Sequence, residues 1–207
     1  MNVNGIAKCQ MPLSVLSVSS GRENHSSYPK EPLFLSAPLS LPRYVHAIAH
    51  QFGGMFHTPH GEANSMVLPL VLDFYIRDEG GANDDEPGPL MLKYVELAKA
   101  AGLVSHYDTK LGGKRQVALA RAFVAKVRSM NAEMSIKSCV KAMGAADVGT
   151  VARRALDEAH GARVLDLGYP VPKYMTMEEC EGLVAALLPA QEQDAWRRNT
   201  PGGTARL

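Results

Sequence analysis

Between Tyr44 and Asp73 the chain reads YVHAIAHQFGGMFHTPHGEANSMVLPLVLD, and this stretch constrains the fold more than any other. Met66, Val67, Leu70, Val71 and Phe74 recur at intervals of three and four residues, the spacing of one buried helix face. The spacing predicts a helix from about Gly61 to Tyr75, with Pro69 inside it as a kink, since proline removes one backbone hydrogen bond. Upstream, the absence of helix breakers predicts a second helix from Arg43 to Phe52. His46, Ile48 and Ala49 are expected among its inward groups, and Gly53-Gly54 is expected to end it.

The same stretch holds His46, His50, His57 and His60, four of the seven histidines in the chain. Residues four apart on a helix lie one turn apart on one face, so His46 and His50 are neighbours. His60 sits in the turn Thr58-Pro59-His60-Gly61 that follows. Two imidazoles from a helix and a third from the next turn can converge on one point, and neutral imidazole ligates iron and zinc. A half-buried helix face accounts for the spacing equally well. His46 is followed by Ala47 rather than glutamate, which excludes the H-E-x-x-H arrangement of zinc proteases.

The order His46, His50, Gly53-Gly54, Pro59-His60-Gly61, Ala63-Asn64, Leu68-Pro69 resembles the iron-containing alcohol dehydrogenases, where their helical metal-binding domain begins. Weaker similarity runs from Tyr44 to about Leu188 and sharpens again at Gly168-Tyr169-Pro170-Val171-Pro172-Lys173-Tyr174-Met175. The resemblance implies an all-α fold, a helical bundle like the C-terminal α domain of dehydroquinate synthase. It implies that His46 and His60 are metal ligands and that His50 lines the site near substrate and nicotinamide. The cofactors it implies are Fe(2+), or Zn(2+) in some members, and NAD(P). The substrate it implies is a small-molecule alcohol or aldehyde.

The family's other two ligands, an Asp and a His four residues later, lie upstream of this segment, as does its dinucleotide-binding domain. Here no Asp precedes Asp73, and only Gly5 and Gly21 precede Gly53, so no glycine-rich phosphate loop is present before it. The expectation is therefore a C-terminal helical portion of such an enzyme, joined to an unrelated leader and inactive by itself. Truncation of a longer gene and a real short paralogue both remain open. So does a non-catalytic helical domain that pairs with a full-length homologue or with itself. Loss of the neighbouring domain would expose an apolar face and favour self-association.

Bulk properties narrow the rest. A length of 207 residues suffices for one domain with a sizeable core. A formal charge of +1 removes the electrostatic case for nucleic acid or an acidic membrane as partner. No apolar run reaches about 18 residues, so no membrane span is expected. Cys9, Cys139 and Cys180 are few, odd in number and widely spaced, which argues against a disulfide scaffold and for a reducing, cytoplasmic location.

Residues 1–43 are rich in serine and proline and are expected to form a leader of low order. The helical domain is expected over 44–189. Within it, Asp78–Pro89 reads as a solvated acidic loop, followed by helices over Leu90–Ala101, Gly113–Ser129 and Asp147–His160. His160, before Gly161, suits a helix C-terminus better than a ligand role. Thr176-Met177-Glu178-Glu179 is a capping box that opens a last helix ending at Leu188. Residues 190–207 are polar apart from Trp196 and are expected to be a mobile tail.

Overall fold

In the computed structural model, residues 42–81, 83, 85–104, 111–161 and 172–200 are described. Helix α1 spans Pro42–Phe56. Proline suits its first position, where a backbone N–H would find no intrahelical partner. Tyr44, Val45, Ile48, Ala49 and Phe52 are all buried and make one continuous stripe along it. His46 and His50 fall off that stripe and are exposed. The expectation that His46 points inward is thus corrected: it lies about 100° around the helix from Val45.

Helix α1 does not stop at Gly53-Gly54. It ends at His57, whose φ of 54° is left-handed. The His57 N–H donates to the Gly53 carbonyl at 3.1 Å, closing the helix in the αL manner usually left to glycine. Helix α2 then spans His60–Ile76, within a residue of its expected limits, and stays helical through Pro69. A proline at 69 leaves the Ser65 carbonyl without its intrahelical donor. The side-chain amide of Asn131 supplies one, at 2.6 Å.

Helices α3 (Pro89–Ala100), α4 (Gly113–Glu133), α5 (Val148–Gly161), α6 (Met177–Ala185) and α7 (Ala190–Asn199) follow, with a 3-10 turn at Ala145–Asp147 before α5. Among the described residues there is no strand, so the all-α expectation holds. Helix α1 packs on α2 and α5, α2 on α4, α3 on α4 and α5 on α6. The largest fully buried side chains are Tyr44, Tyr75, Tyr94, Phe52 and Phe74, so aromatic rings fill much of the core.

Polar ties hold the elements in register. The buried Tyr44 hydroxyl accepts from the Met175 N–H at 3.1 Å and pairs with His160 Nε2 at 3.0 Å. Burial pushes the Tyr44 hydroxyl pKa up. His160 does end α5, as its place before Gly161 suggests. Lys173 Nζ reaches the Phe74 carbonyl at 3.2 Å and Asp78 at 2.6 Å, which caps the last turn of α2. The capping box forms at α6: Thr176 N–H donates to Glu179 Oε2 at 2.8 Å and Glu179 N–H to Thr176 Oγ1 at 3.2 Å.

The tail expectation fails in its first half. Residues Ala190–Asn199 form α7, which lies against the 3-10 turn, and Trp196 packs against the core. One tryptophan with a Glu192 carboxylate that accepts from the Ala145 N–H at 2.9 Å is enough to dock a helix that is otherwise polar. Residues 1–41, His106, Gly168 to Val171 and 201–207 lie outside the described residues, and with them the expected leader and part of the second matching motif. No helix among the described residues is long and apolar enough to cross a membrane.

Candidate metal centre

His46 and His50 project from one face of α1. The chain then reverses through His57, Thr58 and Pro59, and His60 is the first residue of α2. This tight helix–turn–helix brings the three imidazoles together. Ring centroids are 6.0 Å apart for His46 and His50, 5.5 Å for His46 and His60, and 5.3 Å for His50 and His60. His57 stays out of the cluster, since its left-handed backbone serves the turn itself.

His60 and His50 have neighbours that fix them. Asn64, one turn along α2, donates its amide to the His60 carbonyl at 3.0 Å and meets His60 Nε2 at 2.9 Å. The Asn64 Oδ1 is buried without a hydrogen-bond partner among the described residues. His50 Nδ1 lies 2.5 Å from Glu158 Oε1, on α5. The other Glu158 oxygen accepts from Gln51 Nε2 at 3.0 Å.

The cluster can be tested against a divalent ion. With nitrogen about 2.1 Å from the metal, two imidazoles at a tetrahedral angle place their centroids about 5.3 Å apart. The observed spacings of 5.3 to 6.0 Å meet or slightly exceed that, so the rings are close enough together to share an ion once their nitrogens are turned to it. The donor set is less complete. Among the described residues no group of three His, Cys, Asp or Glu side chains is arranged to hold a metal. His60 Nε2 is held by Asn64, so an ion on that atom must displace the amide. The described residues thus fit a metal as a partial donor set of imidazoles, with no carboxylate among the converging groups.

Spacing alone brought His46, His50 and His60 to notice. Glu158 and Gln51 did not announce themselves, because Glu158 lies 108 residues from His50 and reads as one more charge on an amphipathic helix. Asn64 was visible at one turn from His60, and its bond to the ring settles its local role.

Comparison with known proteins bears on the same segment. The model of the Fe-containing alcohol dehydrogenase family, C-terminal, matches residues 40–179. A 1-propanol dehydrogenase PduQ of Citrobacter freundii is 45% identical over 58 residues, covering 28% of this chain and 13% of that protein. Lactaldehyde reductase of Escherichia coli (strain K12) is 29% identical over 116 residues, 55% of this chain and 26% of that protein. NADPH-dependent butanol dehydrogenase of Clostridium saccharobutylicum is 26% identical over 120 residues, with the same coverage of 55% and 26%. A crystal structure of 1,3-propanediol oxidoreductase aligns with a TM-score of 0.47 at 22% identity, over 68% of this chain and 31% of that one. The matches to these three curated relatives span from 13% to 26% of their lengths. With the family model covering 140 of 207 residues (40 through 179), the chain belongs to the Fe-containing alcohol dehydrogenase family by way of that family's C-terminal domain.

Proposed function

We propose that this chain is the helical, metal-bearing portion of an oxidoreductase that interconverts a small alcohol and its aldehyde with NAD(P). The observation that carries the reading is the convergence of His46, His50 and His60 at one end of the α1–α2 pair, inside the segment that matches the family. His46 and His60 offer imidazole nitrogens to a divalent iron or zinc ion. Bound there, the ion would supply Lewis-acid chemistry, and a bound nicotinamide would be the hydride acceptor.

His50 lies beside both ligands and carries the proton. In alcohol oxidation the hydroxyl proton leaves to His50, while the carbon-bound hydride leaves with its electron pair. The ring edge opposite the Glu158 contact is the edge that receives the proton. His50 is 48% exposed at its side chain, so solvent can take that proton away between turnovers.

The described imidazoles do not complete a ligand set. In this reading a carboxylate and a further imidazole, with the dinucleotide site, come from outside the described residues, and the chain turns over only when they are supplied. The domain limits we assign are 44–189 for the helical portion, with α7 docked on it.

The test is an anaerobic titration with ferrous iron and with zinc, alongside a His46→Ala, His60→Ala variant. Binding at one ion per chain that disappears in the variant is the expected result. No binding, or equal binding in the variant, would refute the metal role. That outcome favours a second reading, a non-catalytic helical domain that associates with a full-length homologue. The incomplete donor set is the observation behind it, and a pull-down against such a homologue would read it out.

A further inference from the structure

The contact between His50 and Glu158 has a chemical consequence. Glu158 sits on α5, and α5 packs along α1. Its Oε1 is 2.5 Å from His50 Nδ1 and its Oε2 accepts from Gln51 Nε2 at 3.0 Å. Gln51 is itself braced, since the same amide donates to the Ala47 carbonyl at 3.3 Å. Both carboxylate oxygens are therefore held by two consecutive residues of one helix. An ionised carboxylate only accepts hydrogen bonds, so in the neutral ring the single proton must sit on Nδ1. Nε2 is then left with its lone pair. A free neutral histidine side chain in water prefers the opposite tautomer, with the proton on Nε2.

We propose that Glu158 is a positioning residue of this site: it fixes His50 as the Nδ1–H tautomer, with Gln51 anchoring the carboxylate, so that Nε2 is a standing proton acceptor beside His46 and His60. The inference deepens the oxidoreductase reading and rests on it for the use made of that acceptor. It does not rest on it for the tautomer. The pair is exposed, 48% at His50 and 40% at Glu158, so its contribution to stability is small. What the carboxylate supplies is orientation and choice of nitrogen, the same service a carboxylate gives to histidines around metals. A purely structural salt link would show the reverse pattern, a loss of stability on removal and no effect on the tautomer.

The measurement is long-range nitrogen–proton correlation on the chain labelled with 15N-histidine, at about pH 9, above the ordinary imidazole range. The His50 signals are assigned by their loss in His50→Gln. The expected result is a protonated Nδ1 and an unprotonated Nε2 in the native chain. Glu158→Ala should move the proton to Nε2 with little change in thermal midpoint. Glu158→Gln keeps one acceptor oxygen and should retain the Nδ1–H form. Native His50 in the Nε2–H form, or a tautomer unchanged in Glu158→Ala, would overturn the proposal. Were Glu158→Ala unable to fold, the native tautomer and the Gln variant would still decide it. Iron titration of the same samples separates the two readings. A chain that binds no iron but shows Nδ1–H sinks the oxidoreductase reading and supports the Glu158 assignment. A chain that binds iron with His50 in the Nε2–H form does the opposite.

Discussion

Asn131→Ala tests how α2 tolerates a proline in its interior. Pro69 has no N–H, so the Ser65 carbonyl depends on the Asn131 amide at 2.6 Å. Removing that amide loses a hydrogen bond worth about 1 kcal/mol net and leaves a partly buried carbonyl, which adds up to about 1 kcal/mol more. Alanine regains about 0.5 kcal/mol of helix propensity over asparagine in α4. The expected loss is about 0.5 to 1.5 kcal/mol, or a fall of roughly 1–6 °C in the thermal midpoint for a domain of this size. The decisive comparison is the same substitution in a Pro69→Ala background. There the introduced alanine brings its own N–H to the Ser65 carbonyl, so Asn131→Ala should cost about 0.5 kcal/mol or less. Pro69→Ala alone should be neutral to mildly stabilising. It relieves about 3 kcal/mol of proline penalty and gives up about 1.6 kcal/mol for two buried methylenes plus some cavity cost. Urea denaturation of the four chains gives the coupling. An Asn131→Ala cost that is equal in both backgrounds would refute the claim that Asn131 substitutes for the missing proline donor.

The core and the turn offer further tests. His57→Gly should stabilise by up to about 1 kcal/mol, because its left-handed φ of 54° suits glycine better than a residue with a Cβ; unchanged denaturant midpoints would count against it. Tyr75 is 0% exposed and its hydroxyl has no hydrogen-bond partner among the described residues, so Tyr75→Phe should raise stability by about 1 kcal/mol. A loss instead would mean that the hydroxyl is satisfied in solution. Burial, helped by the charge of Glu181, pushes the Cys180 thiol up to about 12. The unfolded thiol ionises near pH 9, so its contribution is intact below that and is lost as pH rises toward 12. The folding constant should fall by up to about tenfold per pH unit between about pH 9 and 10, and Cys180→Ala should flatten that slope. An identical slope in the variant would place the effect elsewhere.

Local periodicity made much of the fold legible. Met66, Val67, Val71 and Phe74 are buried as their spacing foretold, and the capping box at Thr176 marks the start of α6 to the residue. Glycine was a poorer guide. Gly53 and Gly54 read as a stop, but an isolated glycine costs a helix only about 1 kcal/mol relative to alanine. The end of α1 was set instead by a left-handed His57, which has no sequence signature as clear as glycine. The same limitation hid α7. Its composition is polar, and what orders Ala190–Asn199 is docking by Trp196 and Glu192 onto distant residues, a tertiary effect that no local window contains.

The candidate site divides along the same line. The grouping of His46, His50 and His60 needs only a helix repeat and a tight reversal, so it is written into fewer than twenty consecutive residues and survives any change elsewhere that leaves α1 and α2 packed. The electronic state of His50 is not local at all. It depends on Glu158, which reaches the ring because Val148, Val151, Ala152, Ala155 and Ala159 seat α5 against the core and leave Glu158 at the edge of that buried face. Ala155 and Ala159 are small and buried on α5, which packs along α1. A larger side chain at Ala155 or Ala159 would push the helices apart and lengthen the Glu158 contact while leaving all three histidines in place. The histidine cluster and the tautomer it works with are therefore separable by substitution, and the apolar packing between α1 and α5 is the physical link from core to chemistry.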